Sequence, residues 1–170
     1  MILTPIFTTI EECQEWMEEW VEVYRVKPIN FVLTSGGYDP IHPGHISYLQ
    51  DAVGINPGIM MIHIAVVNGD SFLKEKKGKP FMPLMDRCKV VSGVKGVKAV
   101  LAYEVENEMT VSPVIEALKP GWFAKGGDRT GKENIPEWNA CDKAGTELVT
   151  GVGHRKDWSS SDYLKNWTED

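Results

Sequence analysis

The sequence predicts an α/β fold in which a central, mostly parallel sheet is flanked by helices. Three observations carry this reading. Short apolar runs close on glycine or polar turns at INFVLTSGG, IMMIHIAVVNGD, VKAVLAY, WFAKGGD and TELVTGV, as expected of strands buried on both faces. Stretches with helix potential separate them, at roughly 44–53, 84–94, 112–118, 136–144 and 160–167. Regular alternation of the two kinds of segment favours parallel pairing through helical crossovers.

Ahead of the first strand, Thr9 and Glu12 have capping-box spacing. Ile10, Cys13, Trp16, Met17, Trp20, Val21 and Tyr24 then recur at intervals suited to one helix face. Residues 1–28 therefore read as a helical extension packed on a main domain of residues 29–170, with Lys27 and Pro28 as connector. The chain has 170 residues and is 42% hydrophobic, which supports one core, and it contains no internal repeat or low-complexity tail.

The formal charge is −6. A long phosphate backbone would meet a repulsive field, so nucleic acid is not an expected partner. A single triphosphate is different, because a few lysines, imidazoles and backbone amides can hold it within an acidic protein. Cys13, Cys88 and Cys141 lie far apart without CxxC spacing, so neither a disulfide framework nor a zinc site is expected. The N-terminal stretch turns acidic before reaching signal length and no run approaches twenty apolar residues, so the expected location is cytoplasmic, without membrane attachment.

In open α/β sheets, ligands bind beyond the carboxyl ends of the strands. Polar clusters fall there at 35–45, 68–79, 125–129 and 151–161. The first is the most informative. Gly36 and Gly37 allow close backbone approach, with Ser35, Tyr38 and Asp39 beside them, while Pro43 and Gly44 suit a helix start. His42 and His45, three residues apart, can share one face where first-turn amides favour an anion. Imidazoles and amides meeting phosphate oxygens suit phosphoryl or nucleotidyl transfer, in which charge on the phosphate must be stabilised.

His42-Pro43-Gly44-His45, preceded by TSGGYDPI, resembles the HxGH motif of the cytidylyltransferase-like nucleotidyltransferases. That group includes glycerol-3-phosphate cytidylyltransferases and the adenylyltransferase domain of ADP-heptose synthesis. Asn68, Asp70, Lys74, Lys77, Gly78, Pro83 and Arg87 match the order found in the heptose-type branch, which implies phosphate contacts from Lys74, Lys77 and Arg87. Lys125-Gly126-Gly127-Asp128 is similar to the KGGD stretch of the same branch, and Ser159-Ser160-Ser161 to the serine–threonine motif that contacts the triphosphate. The terminal arginine of several adenylyltransferase branches is missing, since Lys165 follows instead. Nicotinamide-nucleotide and pantetheine-phosphate enzymes are thereby disfavoured.

The resemblance spans about residues 31–167. It implies a Rossmann-like nucleotidyltransferase that moves AMP or CMP from ATP or CTP to a phosphorylated sugar or related small molecule and releases pyrophosphate. His42, His45 and Lys74 would be catalytic, and Mg2+ would be bound mainly through the triphosphate, without a protein metal site. A glycerol-phosphate-type cytidylyltransferase and an inactive nucleotide-binding regulatory protein are the alternatives. A homodimer is compatible with the tryptophan content.

Overall fold

The computed structural model describes residues 3–127, 134–154 and 159–168. Among these residues, six strands form one sheet: β1 (Ile6–Phe7), β2 (Ile29–Gly36), β3 (Met60–Asn68), β4 (Val97–Tyr103), β5 (Trp122–Gly126) and β6 (Glu147–Val152). They lie in the order β1-β4-β3-β2-β5-β6, and every pairing is parallel. The α/β fold read from the apolar runs is the fold observed. Among the described residues, seven α-helices connect or follow the strands: α1 (Ile10–Val23), α2 (Pro43–Asp51), α3 (Asp70–Lys77), α4 (Leu84–Ser92), α5 (Ser112–Leu118), α6 (Trp138–Ala144) and α7 (Ser160–Thr168).

The alternation of side chains along each strand divides the core into two layers. On one face Phe31, Leu33, Ile62, Ile64, Val66 and Phe123 pack against Cys13 and Met17 of α1, Val114 and Ile115 of α5, and Cys141 of α6. On the other, Val32, Ala65, Val67, Val100 and Ala124 pack against Tyr48 and Leu49 of α2 and Cys88 and Val91 of α4. Each large apolar side chain buried this way contributes about 1.5–3 kcal/mol. The two layers fix the sheet in place and leave its carboxyl edge open to the connecting loops.

Two elements depart from the expected pattern. Ile6–Phe7, too short to stand out as a strand, pairs with Val100 and Leu101 at the sheet edge. The predicted capping box at Thr9 and Glu12 is formed, and it starts α1 directly after this strand. The lysine-rich segment after β3, not among the stretches with helix potential, is the helix α3. Glu104 accepts hydrogen bonds from the first amides of that helix, Asp70 N at 2.5 Å and Ser71 N at 3.1 Å, and Gly78 with φ +89° ends it.

A buried polar chain runs beneath the carboxyl edge. Tyr38 Oη donates to Thr34 Oγ1 at 3.4 Å, and Thr34 Oγ1 lies 2.8 Å from Nε2 of the fully buried His63. If the Thr34 proton goes to Nε2, His63 is neutral with its proton on Nδ1, which finds no partner. Burial pushes the His63 pKa down to about 3. An unfolded histidine titrates near 6.5, so below that pH the unfolded chain binds a proton that the native state refuses. Stability is therefore full above about pH 6.5 and declines as the pH falls toward 3. Urea titrations between about pH 7.5 and 5 should show this decline, with a slope smaller by up to one proton in His63→Asn. Identical slopes would remove His63 as its source.

Among the described residues, no helix is long and apolar enough to cross a membrane. Cys13, Cys88 and Cys141 are buried and free, and burial raises the thiol pKa of each.

Candidate active site

The order of the sheet reverses at β2, whose neighbours β3 and β5 carry the chain in opposite directions. A crevice at such a switch point is the expected ligand site of an open α/β sheet. Here it is a cleft of about 380 Å³ lined by residues following β2, β3, β5 and β6.

Its floor comes from Ser35, Gly36 and Gly37 and from the start of α2. His42 occupies the position before that helix in extended backbone geometry, with φ −146° and ψ 169°, and Pro43 opens the first turn. The His42 side chain makes no capping bond to this helix. The His42 and His45 rings stack with centroids 3.8 Å apart and planes at 26°. Tyr38, buried and held at φ +50°, sets its ring edgewise to His45 at 5.2 Å, while Tyr163 of α7 lies 5.8 Å from His42. Two imidazoles at the start of a helix thus face one cleft.

One wall is formed by the end of β5 and the approach to α6. Lys125 Nζ donates to Ser35 Oγ at 3.1 Å and to Glu137 Oε1 at 3.2 Å. A Cβ on Gly126 would meet Tyr48 Cδ2 at 2.9 Å and the Val152 carbonyl at 3.0 Å, while Gly127 turns the chain at φ +73°. Glycine is therefore required on steric grounds at the first position and conformational grounds at the second. His154 closes this wall, its amide donating to Ser47 Oγ. Asn68, Phe72, Lys76 and Met109 form the opposite wall.

The cleft thus brings together Ser35, Gly36, Gly37, His42, His45, Lys125, Gly126 and Gly127 of the residues singled out in the sequence. Asp128 lies outside the described residues. The others have different placements. Lys74 is exposed and lines a separate depression with Glu75, Glu106 and Glu108, because the helical turn of α3 points Lys76 into the cleft instead. Lys77 Nζ is paired with the buried Asp39 carboxylate at 2.8 Å and also donates to the Asp39 carbonyl. Asp39 additionally accepts from Phe81 N at 2.7 Å and Met82 N at 2.8 Å, so its carboxylate clasps the loop before α4.

Arg87, expected from the sequence to contact phosphate, has its donors engaged by the protein. Its side chain is fully buried, donating from Nε to the Met82 carbonyl at 3.0 Å and from Nη1 to the carbonyls of Gly37 at 2.9 Å and Asn68 at 2.6 Å. Nη2 pairs with Asp70 at 2.6 Å. Its planar fork is engaged by the loops around the cleft and does not reach into it.

The serine run also has a local structural role. Ser159 N and Oγ both bond Asp162 Oδ2, and Asp162 N donates back to Ser159 Oγ at 3.3 Å. This is reciprocal capping of α7. Ser160 Oγ donates to the Pro40 carbonyl at 2.9 Å, tying α7 to the loop before His42, and Ser161 is exposed.

Lys76, Phe72, Met109, Tyr48, Glu137 and His154 line the cleft without having been singled out. The four-residue spacing of Phe72 and Lys76 would have shown their shared face had α3 been read as a helix. Glu137 had no comparable signal. Among the described residues, no group of three or more His, Cys, Asp or Glu side chains is arranged to hold a metal ion.

The family model described as cytidylyltransferase-like matches residues 33–164. The protein called bifunctional protein HldE from Histophilus somni is 32% identical over 131 residues, covering 76% of this chain and 26% of that protein. The protein of the same name from Nitratiruptor sp. is 36% identical over 106 residues, 61% of this chain and 21% of its own. This chain therefore spans about a quarter of the length of the curated relatives it matches. Among solved structures, the lipopolysaccharide core biosynthesis protein from Thermoplasma volcanium has the same fold, with a TM-score of 0.58 at 22% identity over 76% of this chain and 99% of that one.

Proposed function

This chain belongs to the cytidylyltransferase-like family, and we propose that it transfers AMP or CMP from ATP or CTP to a phosphorylated sugar or related small molecule, releasing pyrophosphate. The observation that carries the proposal is the stacked His42–His45 pair at the start of α2, facing a cleft that also receives Lys76 and Lys125. These are positively polarised groups around a space suited to a triphosphate.

In the proposed reaction, an oxygen of the acceptor phosphate forms a bond to the α-phosphorus as the bond to pyrophosphate breaks. The acceptor oxygen is already ionised, so no general base is required and the protein contributes alignment and charge compensation. His42 and His45 would donate hydrogen bonds to the reacting phosphates, with Lys76 and Lys125 holding flanking oxygens. Tyr38 would fix the rotation of the His45 ring. Mg2+ carried by the triphosphate fits this donor set, since the nearby Asp39 and Asp70 carboxylates are engaged by Lys77 and Arg87 and phosphate oxygens and water would supply its ligands. When bound, it would neutralise charge on the triphosphate.

Likeness to the heptose-type branch in the KGG stretch and lysine spacing favours ATP and a sugar phosphate. The free, buried cysteines suit a reducing cytoplasm, and a homodimer remains part of the proposal. Pyrophosphate release should be measured with magnesium across phosphorylated sugars and alcohols, each paired with ATP, CTP, GTP or UTP. Selective release by one pair would establish transfer and its substrates. Selective nucleotide binding with no release across the panel would instead establish a binding protein.

The two lysines separate the sequence reading from the cleft geometry. Lys76→Ala should lower kcat/KM by about 10- to 100-fold, with Lys74→Ala closer to wild type, because a charge-assisted contact contributes about 1.5–3 kcal/mol when made. A larger loss from Lys74→Ala would restore the catalytic assignment of Lys74.

A further inference from the structure

Glu137 is only 4% exposed, yet it forms part of the cleft wall beside Gly126 and Pro136. Oε1 accepts from Lys125 Nζ at 3.2 Å. Oε2 is buried and accepts no hydrogen bond. A carboxylate oxygen withdrawn from water without a donor is costly, and such a group calls for a specific explanation. Helix capping does not provide it: Glu137 stands immediately before α6 but makes no side-chain bond to that helix. Lys125 satisfies only the other oxygen.

A carboxylate accepts hydrogen bonds and repels phosphate, so its missing partner is a neutral N–H or O–H group entering the cleft. The terminal torsion of a glutamate is soft, allowing the carboxylate to rotate toward that wall. We propose that Glu137 is a specificity-determining residue, its unpaired oxygen accepting a hydrogen bond from a nucleoside donor, either an exocyclic base amine or a ribose hydroxyl. This assignment rests on the nucleotidyltransferase reading of the same cleft. It adds discrimination to a site whose other polar contacts favour phosphate: His42, His45 and Lys76 act on charge, whereas Glu137 selects a donor.

Calorimetric titration of the full chain with ATP against inosine triphosphate, CTP against UTP, and each ribonucleotide against its 2′-deoxy form tests the assignment. The wild type should prefer the donor-bearing member of one pair by about 10- to 100-fold. In Glu137→Gln, Lys125 retains the amide oxygen and the NH2 group faces the ligand. A preference resting on a base amine should then invert toward the carbonyl-bearing base, whereas one resting on a ribose hydroxyl should collapse. Glu137→Leu, of similar volume, should abolish the preference without inversion. Equal weakening of every nucleotide in both variants would overturn the proposal and leave Glu137 as a support for Lys125 alone. No nucleotide binding by the wild type would overturn the underlying cleft reading as well, and the unsubstituted protein alone reveals that outcome.

Discussion

Alanine at His42 or His45 should lower kcat by about 10²–10³-fold, the loss expected when a donor aimed at developing charge is removed. The fold should tolerate either change. His42 enters α2 through its backbone carbonyl, which accepts from His45 N at 2.9 Å and Ile46 N at 3.2 Å, while its side chain makes no capping bond. The double variant should lose much less than the product of the two single effects, because the stacked rings serve the same phosphates. Single-turnover rates measured beside circular dichroism provide the check. Near-wild-type turnover by both folded single variants would remove the histidine pair from the mechanism.

Arg87→Ala should destabilise the protein by about 3 kcal/mol or more, since it removes the donor of three backbone carbonyls at about 1–3 kcal/mol each, while its partner Asp70 keeps part of its solvation. This is a large part of the roughly 5–15 kcal/mol that holds a typical domain together. The variant would leave the Gly37, Asn68 and Met82 carbonyls without their present donor, loosening the glycine loop, the end of β3 and the approach to α4 together. Arg87→Lys should recover only part of the loss, since an ammonium cannot reproduce donors spread across a planar fork. Urea unfolding decides the matter. Wild-type stability in Arg87→Ala, combined with weakened nucleotide binding, would return Arg87 to the phosphate-contacting role expected from the sequence.

The contrast between His42 and Arg87 shows what could be read from the chain. The five main strand segments were legible because apolar runs ended at glycines or polar turns, and the capping box at Thr9 and Glu12 marked α1. The glycine–histidine loop was legible because a proline and glycine beside paired histidines leave few arrangements open. The surroundings of Arg87 were not legible because an arginine in a helix looks the same whether it faces water or a cage of carbonyls; only the return of Gly37 and Asn68 to its vicinity distinguishes the two. The helix α3 was hidden by its charge. Its cap is Glu104, supplied by the segment after β4, far along the chain. Glu137 was invisible for a related reason, since its partner Lys125 lies on the preceding strand and the cleft between them exists only after folding.

The position of β2 at the centre of the sheet also has a consequence for synthesis on the ribosome. Its neighbour β3 begins at Met60, whereas its other neighbour, β5, begins only at Trp122. At about 5–20 residues per second, roughly 3–12 seconds separate the emergence of these two strands. During that interval β2, β3 and β4 can assemble, but one side of β2 still presents unpaired backbone groups. The strand that carries the glycine–histidine loop is therefore the nascent chain's most vulnerable edge, and the later arrival of β5 both covers that edge and completes the opposite side of the cleft.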